Sequence, residues 1–483
     1  MTTIHCDALV VGTGIIGAAC ALALADHGLD VVATGEPAAT LGTASSAAGA
    51  MLGVLGEVTT DDNPETGSLD DRALHLRHRA AQAWPDWAER IAEAADTPVP
   101  IHYGTTVIAS AANPGDRANL RAITTAAEHL ALPAHPTDPA DIPYLAPAPG
   151  HETTTALWLP DEGHVDTTIL LPALHTALTA HPRVRHLPHA VRHVRHTETR
   201  ATGATLDDDT TVHCEHVVLA AGCATQALLD DIGRDRHGVV PRLLPGKGTS
   251  YVVDAPGHSL DHQVIRTPNR EFACGLHLIG HADGTLYLGA TNRIADTPGS
   301  QQQLPSGGEL NLIDSAIHDL TTRLRTTPIR TTRCGMRPLS TDGHLLIGAT
   351  RLAGLHLATG TYRNGILLAP AIADLLATEL TTGAAPDDRT FSPTAPWRSL
   401  PPDVAAVIKR GIPHLVAFLL EPHGRMPYDR RTQLETALGN LFALAFTDDA
   451  TAKELGERCM TILGSAHVPE VIPQAWYTLA EAR

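Results

Sequence analysis

The chain has 483 residues, of which 43% are hydrophobic and 18% charged, and its formal net charge is −18. This composition is typical of a globular protein, and the length allows more than one hydrophobic core. The excess of acidic residues makes nucleic acid and anionic membrane surfaces poor candidates as partners. The net charge does not exclude a small anionic substrate, because a few arginines can make the inside of a pocket positive.

No apolar run reaches the roughly 18 residues that a membrane span needs. The first residues form a predicted strand without a basic segment or cleavage site, so we expect no signal peptide and a cytoplasmic protein. The seven cysteines are scattered without a CxxC pair, which is typical of reduced, buried thiols. No HExxH signature stands among the 28 histidines, and we predict no metal site.

Residues 4–36 predict a βαβ unit. A strand at Ile4–Val11 leads into the glycine turn 12–17, which carries Gly12, Ile15 and Ile16 among its residues, and an alanine-rich helix follows at Ala18–Ala25. The N–H groups that open a helix after such a turn can hold a pyrophosphate. We therefore predict a nucleotide-binding unit, in which the turn residues make the contact. These are Gly12, Gly14, Ile15, Ile16 and Gly17.

The ribose contact departs from the usual pattern. An acidic residue at the end of the second strand normally binds the ribose hydroxyls. By spacing that position is Gly35, and Glu36 follows it. Either Glu36 makes the contact, if the strand carries a bulge, or the contact is lost.

The remaining elements alternate between two predicted sheets. A run of small residues at 44–56 would let the backbone approach a flat ring, and two helices are predicted at about 68–95. Tyr103–Ala109 predicts a strand of a second sheet, and Val217–Gly222 a buried strand of a parallel sheet. Further predicted elements are a turn at Pro160–Gly163, strands around 249–253, 263–267, 276–279 and 285–290, and a return to the first sheet at 344–380.

A second helix start lies near the other end of the globular region. Residues 360–370, which contain Tyr362, Asn364 and Gly365, predict a strand end, a turn and an apolar helix. Two helix N-termini so far apart in sequence suggest one long ligand held at its phosphates and at its far ring. Flavin adenine dinucleotide (FAD) is such a ligand.

The predicted fold class is α/β. We expect a Rossmann-like FAD-binding domain interwoven with an α+β antiparallel-sheet substrate domain, followed by a C-terminal all-α appendix. The predicted boundaries are 1–100, 150–225 and 335–390 for the FAD-binding domain, 101–149 and 226–334 for the substrate domain, and 396–483 for the helical appendix.

Several segments together resemble one family. The run SSAAGAML at 45–52, PDEG at 160–163, VVLAAG at 217–222, GMRP at 335–338 and YRNGILLAP at 362–370 look like the glycine oxidase branch, of the thiamine-pathway type, of the FAD-dependent D-amino-acid oxidase family. The resemblance runs from about residue 4 to about 390 and does not include the predicted appendix.

The resemblance implies which residues hold the flavin. The glycine turn would bind the pyrophosphate, and the helix that starts after Asn364 would point its positive end at the flavin ring, where it stabilises the reduced anion. The other cofactor-binding residues that it implies are Glu36, Ser45, Ala47, Ala48, Met51, Ala221, Gly222, Gly360, Tyr362, Arg363, Asn364, Gly365 and Ile366.

Three residues are candidates for the substrate site. Arg337 and Arg363 stand in apolar surroundings and match arginines of the resembled branch, and a guanidinium can hold a substrate carboxylate by two parallel bonds. The family's active-site tyrosine falls at His277. His277 is either a pocket ligand or base, or an outward residue of its strand, and its presence makes a larger or N-substituted amino acid plausible as substrate.

The implied reaction is the oxidation of an amine. Hydride would pass from the carbon beside the nitrogen to flavin N5, the imine would hydrolyse, and O2 would be reduced to H2O2. Cys334 lies one residue from where related sarcosine oxidases carry a flavin-linked cysteine, so we expect a non-covalent FAD. The expected partners are a small amino-acid or amine substrate and O2. We expect no binding to nucleic acid or membrane, and a homo-oligomer is possible.

Three alternatives remain. The first is an oxidase of specialised metabolism that cleaves an N-carboxymethyl amine and releases a glyoxylate-like fragment. The second is a flavin dehydrogenase that passes electrons to a protein partner docked on the appendix. The third is a non-catalytic interaction protein that keeps the fold, which Arg337 and the intact segment 362–370 disfavour.

Overall fold

The computed structural model describes residues 2–40, 42–60, 62, 68–257, 259–270, 274–294, 306–383 and 390–399. The predicted appendix at 396–483 lies outside the described residues, apart from a short 3-10 turn at Pro396–Ser399. The described strands are β1 (Thr3–His5), β2 (Ala8–Val11), β3 (Val31–Thr34), β4 (Met51–Leu52), β5 (Ile101–Ser110), β6 (His135–Thr137), β7 (Thr153–Val165), β8 (Val184–Leu187), β9 (Val191–His196), β10 (Ala201–Leu206), β11 (Thr211–His213), β12 (His216–Leu219), β13 (Leu243–Asp254), β14 (Val264–Arg266), β15 (His277–Gly280), β16 (Thr285–Gly289), β17 (Arg293–Ile294), β18 (Ile329–Ser340), β19 (Leu346–Ala349) and β20 (Leu355–Thr359). The described α-helices are α1 (Ile15–Asp26), α2 (Ala44–Ala47), α3 (Leu69–Ala95), α4 (Pro114–Leu130), α5 (Thr167–Ala180), α6 (Thr225–Ile232), α7 (Arg234–His237), α8 (Ser306–Asp319) and α9 (Gly365–Thr382).

Six strands form the first sheet, in the order β19-β20-β12-β2-β3-β8. All neighbours are parallel except β19, which runs antiparallel to β20. β2 and β3 are buried at every position, because helices cover the sheet, and this explains their unbroken apolar sequences. Helices α1, α3, α5 and α9 share one hydrophobic core over this sheet, and buried Trp84 donates from Nε1 to the Leu367 carbonyl at 2.9 Å.

The second sheet has ten strands and is mainly antiparallel. Its path is β17-β13-β16-β15-β14-β5-β7-β4, with β18 paired to β13 and β6 to β7. A third sheet, in the order β1-β11-β10-β9, has four strands. The interweaving of the first two sheets along the chain confirms the predicted architecture of a Rossmann-like layer joined to an antiparallel substrate layer.

Three predicted elements are wrong in detail. The strand at Ile4–Val11 is two strands in different sheets, β1 and β2, separated at Cys6 and Asp7. The two helices predicted at 68–95 are the single helix α3, which contains Pro85. Its amphipathic face packs continuously on the core, and this packing outweighs the backbone hydrogen bond that proline removes.

The turn predicted at Pro160–Gly163 is also wrong. These residues belong to β7, where the pairing with β5 shifts from Tyr103 opposite Gly163 to Thr105 opposite Leu159. Pro160, Asp161 and Glu162 thus bulge opposite a single residue, which accommodates the proline without reversing the chain. Because β4 and β7 lie in the second sheet, the boundary predicted at 150 separates β7 from its own sheet. The domain limits otherwise remain predictions.

Of the described helices, α9 is the one with the length and composition to cross a membrane, at a mean hydropathy of 1.3. More than half of it, 56%, is buried inside the protein. It packs against α1 and α3, as expected for a core helix beside a parallel sheet.

Candidate active site

The glycine turn after β2 is packed too closely for any larger residue at two positions. Gly12 has a φ of +100°, and a Cβ there would lie 2.6 Å from the Ala220 carbonyl oxygen. A Cβ on Gly17 would lie 1.8 Å from the Gly12 carbonyl oxygen. The turn is therefore pressed between α1 and the end of β12, which brings the start of α1 to the carboxyl edge of the parallel strands.

Two helix N-termini open onto the same cleft. Asn364, the N-cap of α9, makes no capping hydrogen bond with its side chain, and at the start of α1 the Ile15 N–H donates to the Ser45 hydroxyl at 3.1 Å. Ile15 and Gly365, the first residues of the two helices, both line the cleft. The positive ends of both helix dipoles therefore act on whatever occupies it.

The cleft has a volume of about 400 Å³. Small residues border it, and at Gly335 a Cβ would lie 2.9 Å from the Ala44 Cα, so α2 packs directly on the backbone of β18. Residues of all three predicted FAD-binding stretches meet here. The predicted residues that line the cleft are Gly12, Gly14, Ile15, Ile16, Glu36, Ser45, Ala47, Ala48, Ala221, Gly222, Arg337, Tyr362, Arg363, Gly365 and Ile366.

Glu36 lines the cleft because the conformation of the preceding glycine turns the chain. Gly35 has a φ of +132°, and its N–H donates to the Leu187 carbonyl at 3.1 Å. The Thr13 hydroxyl donates to the Glu36 carbonyl. Gly35, in the left-handed region, turns the chain at the end of β3 and places Glu36 beside the cleft. The sequence had suggested a strand bulge as the condition for Glu36 to reach the ribose.

A few predicted residues lie behind the lining, within the part of the chain that is described. Gly17 packs on Gly12, and partly buried Met51 packs against a small cluster in the second sheet. The other three are Gly360, which follows β20 with a φ of +72°, Asn364, the N-cap of α9, and His277.

Arg337 borders the cleft from β18. Its guanidinium lies over Gly248, where a Cβ would be 2.0 Å from Nη2. Its Nη1 donates to the Asn292 Oδ1 at 3.0 Å and to the Thr291 carbonyl at 3.1 Å. Both acceptors are neutral, so these contacts orient the side chain and leave its charge available to a ligand.

Arg363 lies beside a carboxylate instead. Its Nε is buried, makes no hydrogen bond to the described residues and lies 3.5 Å from the Glu57 Oε2. Its guanidinium carbon lies 5.1 Å from the centre of the Tyr362 ring, and Nη1 lies 3.7 Å from the Cys274 sulfur. Tyr362 hydrogen-bonds Asn292 and thereby connects the two arginines.

Glu57 joins Arg363 to a third arginine. Arg266, only 1% exposed, lies 3.1 Å from the Glu57 Oε1 through Nη1 and donates from Nη2 to Asn269 at 2.9 Å. Burial alone would raise the pKa of Glu57, but Arg363 and Arg266 together lower it to about 2. Two guanidiniums, Arg363 and Arg266, thus face Glu57, and a second buried carboxyl group, Glu162, lies beside Arg266.

The comparison of sequences identifies the family. The sequence profile described as FAD dependent oxidoreductase, named DAO, matches residues 7–379, well over half of the chain. The chain belongs to this FAD dependent oxidoreductase family. The cleft fits the family's cofactor, since its glycine turn, small lining residues and two helix N-termini suit a flat ring joined to a pyrophosphate.

Two similar proteins are named glycine oxidase and bifunctional protein ThiO/ThiG. It is 28% identical to a glycine oxidase of Geobacillus kaustophilus over 379 residues, which cover 77% of this chain and 92% of the relative. It is 26% identical to the bifunctional protein ThiO/ThiG of Trichormus variabilis over 376 residues, 77% of this chain. That match covers 52% of the relative, so the chain spans about half the length of the bifunctional protein.

Solved structures share the fold of this FAD dependent oxidoreductase. The glycine oxidase of Geobacillus kaustophilus superposes with a TM-score of 0.68 at 24% identity, covering 81% of this chain and 99% of the other. The iminodiacetate oxidase of Chelativorans sp. superposes with a TM-score of 0.65 at 20% identity, covering 80% and 98%. At these identities the likeness establishes a common fold.

His277 is buried inside the second sheet of this flavoprotein. It is 4% exposed, so the prediction of an outward residue is wrong. Its ring stacks on Tyr287 with centroids 5.6 Å apart, and its Nδ1 lies 3.0 Å from the Gly275 carbonyl oxygen. Burial, followed by the charge of Arg266, lowers the pKa of His277 to about 3, and a ring of this pKa is neutral at neutral pH and a weak base.

Cys334 is only partly buried, as are Cys6, Cys214 and Cys274, so the prediction of buried thiols is wrong for these four. Cys334 pairs with Thr249 across the β13–β18 ladder, and burial raises the pKa of its thiol. The residues that follow it on β18 line the cleft. Its high pKa disfavours the thiolate that a flavin linkage requires.

Three residues at this end of the cleft were not predicted from the sequence: Glu57, Arg266 and Asn269. Glu57 directly follows the small-residue run at 44–56, and Arg266 lies within the predicted strand at 263–267. A charged residue between apolar neighbours of a buried strand needs a partner, and this was a usable signal. Its partner could not be found without the fold, because Glu57 and Arg266 are 209 residues apart.

Proposed function

We propose that this protein is an oxidase of a glycine-like or N-substituted amino acid, with a non-covalent FAD. The observation that carries the proposal is Arg337, a guanidinium at the end of the FAD cleft whose contacts are neutral. An α-carboxylate suits this group, since a charge-assisted bond to a guanidinium is strong and directional. Membership of the FAD dependent oxidoreductase family supports the redox chemistry.

We assign a role to each charged or buried polar residue at the arginine-containing end of the cleft. Arg337 binds the substrate carboxylate and sets its distance from the ring. Glu57 and Arg266 hold Arg363 in place, and Arg363 adds positive potential. Buried, neutral His277 shapes the wall behind the substrate and binds no proton at neutral pH. Such a site orients the amine and excludes water, and it needs no charged base if the amine binds neutral.

When bound in the cleft, FAD would supply the two-electron acceptor for oxidation of the carbon beside the amine nitrogen, with O2 as the final oxidant and H2O2 as its product. The N-terminus of α9, at the cleft and without a side-chain cap, provides positive potential for added negative charge. We place the reaction in the cytoplasm.

A second candidate is the oxidation of an N-carboxymethyl amine with release of a glyoxylate-like fragment. The presence of two arginines, Arg337 and Arg363, in the lining of the cleft favours it, because two guanidiniums suit a substrate with two carboxylates. A dehydrogenase that passes electrons to a protein is the third reading, and the electron acceptor distinguishes it.

An anaerobic titration of the FAD-loaded protein tests these proposals. Glycine, sarcosine and a bulkier N-carboxymethyl amine would be added in turn while the oxidised-flavin absorbance is followed. Bleaching by glycine or sarcosine supports the first proposal, and bleaching by the N-carboxymethyl amine alone supports the second. Admitting air then distinguishes an oxidase, which forms H2O2 stoichiometrically, from a dehydrogenase. A flavin that none of the amines reduces would contradict all three.

A further inference from the structure

Two histidines and an aspartate meet where α3 packs beside α4, outside the cleft. The Asp71 Oδ1 lies 2.8 Å from the Nε2 of His129 and 3.4 Å from the Nε2 of His75. All three donor atoms lie within 4.8 Å of one another. Asp71 and His75 are one turn apart on α3, and His129 belongs to the last turn of α4.

The arrangement is close to the first coordination sphere of zinc. Bonds of about 2.0–2.2 Å to imidazole nitrogen and carboxylate oxygen place tetrahedral ligands roughly 3.3–3.6 Å apart. The 3.4 Å between Asp71 and His75 fits this spacing, whereas His129 is hydrogen-bonded to Asp71 at 2.8 Å and would have to move outward to bind the metal. The two imidazole centroids are 5.6 Å apart, with an interplanar angle of 63°. Rings that share a tetrahedral zinc have centroids about 5 Å apart and are not stacked.

We propose that Asp71, His75 and His129 form a Zn²⁺ site with one coordination position open to water. Zinc suits the set because it takes both imidazole and carboxylate ligands, whereas Mg²⁺ strongly prefers oxygen. The site is separate from the FAD cleft, and the inference holds whether or not the proposed function is correct.

In this site the aspartate is buried, whereas the two histidines are exposed to solvent. The side chain of Asp71 is 5% exposed, and its backbone N–H donates to the Ser68 hydroxyl at 3.1 Å, in the cap of α3. The side chains of His75 and His129 are 55% and 29% exposed. A metal ion can therefore enter from solvent, and only two exposed side chains need to adjust.

Zinc at this position would link α3 to α4. α3 packs in the core over the first sheet, and its Leu74 also belongs to a second core, which it shares with Leu120 and Ile123 of α4. A metal that binds the folded protein stabilises it by mass action, and here the stabilisation would act on the contact between the two helices.

The test uses the FAD-loaded protein after removal of metals with EDTA. Zn²⁺ is titrated against a chromogenic chelator, and the unfolding midpoint is measured with and without Zn²⁺. His75→Gln and His129→Gln each remove one ligand. His189→Gln is the matched control, because His189 lies in another histidine–aspartate cluster, with Asp207 and Asp208. Mg²⁺ is the control ion.

We expect one tight Zn²⁺ per chain and a higher unfolding midpoint, both kept in His189→Gln. Each ligand variant should bind that Zn²⁺ at least about tenfold more weakly and lose the Zn²⁺-dependent shift. The proposal is overturned if both ligand variants bind Zn²⁺ as the parent does, or if the parent gains no stability from Zn²⁺. A plain ion pair would give the second result, with midpoints lowered in the variants even without metal. If His129→Gln does not fold, exposed His75 still provides the test.

Discussion

Arg337 and Arg363 lie at the same end of the cleft but differ in the groups that surround them. Arg337 donates to an amide and a backbone carbonyl, whereas Arg363 faces Glu57, whose pKa of about 2 keeps it ionised. A carboxylate that binds Arg337 meets a cation whose contacts are neutral, while one that binds Arg363 competes with an existing pair. Arg337 should therefore carry more of the substrate affinity.

Arg337→Lys should lower kcat/KM by about 10- to 100-fold, equivalent to roughly 1.4–2.8 kcal/mol. Lysine keeps the charge but loses the two parallel bonds and the contacts to Asn292 and Thr291. Steady-state kinetics with the substrate identified in the anaerobic titration measure the change. Arg330→Lys, on the same strand but exposed and paired with Asp254 and Asp283, should leave kcat/KM unchanged. Equal losses in both variants would argue against a carboxylate contact at Arg337.

The start of α1 shows how one element positions the cofactor. α1 is almost wholly apolar and buried on all sides, so it cannot shift without opening the core. Its first turn touches the preceding glycine turn through Gly17. The contact between helix and turn therefore sets the place of the N–H groups that would hold the pyrophosphate.

Gly17→Ala should abolish tight FAD binding, because the added methyl group would lie 1.8 Å from the Gly12 carbonyl oxygen. The turn and the helix would have to separate, which displaces the N–H groups. The ratio of flavin to protein absorbance in purified protein measures the result. Gly308→Ala in α8 is the control, since its Cβ would meet nothing within 4 Å. Full flavin content in folded Gly17→Ala protein would contradict the steric argument.

Buried histidines affect the stability of the whole molecule. His164, His277 and His356 are 1%, 4% and 7% exposed, and burial foremost lowers the pKa of each to about 3. In the unfolded chain their pKa is about 6.5. Between these values the unfolded state binds more protons than the folded state, so stability is present above pH 6.5 and is lost as the pH falls.

The unfolding midpoint should therefore fall from pH 7 to pH 5, with each buried histidine contributing up to about 1.4 kcal/mol per pH unit. His164→Leu should reduce this dependence, since neither ring nitrogen of His164 has a hydrogen-bond partner among the described residues. Thermal unfolding of the FAD-loaded protein at several pH values measures both slopes. His135→Gln, at an exposed position, should keep the parental slope, and a parental slope in His164→Leu would refute the assignment.

Local patterns were enough to predict the nucleotide-binding half of the fold. The glycine turn, the buried strands and the apolar helix of residues 365–382 are each encoded in a few consecutive residues, and the structure brings them to one cleft. Glu36 lines the cleft because Gly35 turns the chain by a positive φ, whereas the sequence suggested a strand bulge, and its contact with the ribose remains a prediction. The split of residues 4–11 was missed because both halves are extended and follow each other closely, and only their partner strands differ.

The sequence by itself determined the class of the protein, since its turn, strand and helix starts depend on short-range sterics and periodicity. The tertiary structure alone decided which charges meet. Glu57, Arg266 and Arg363 come from distant stretches, and so do Asp71 and His129. Their pairing depends on sheet register and helix packing, and the energy of a buried charge depends on the partner beside it. The same holds for His277, whose low pKa results from the surroundings that the second sheet builds around it.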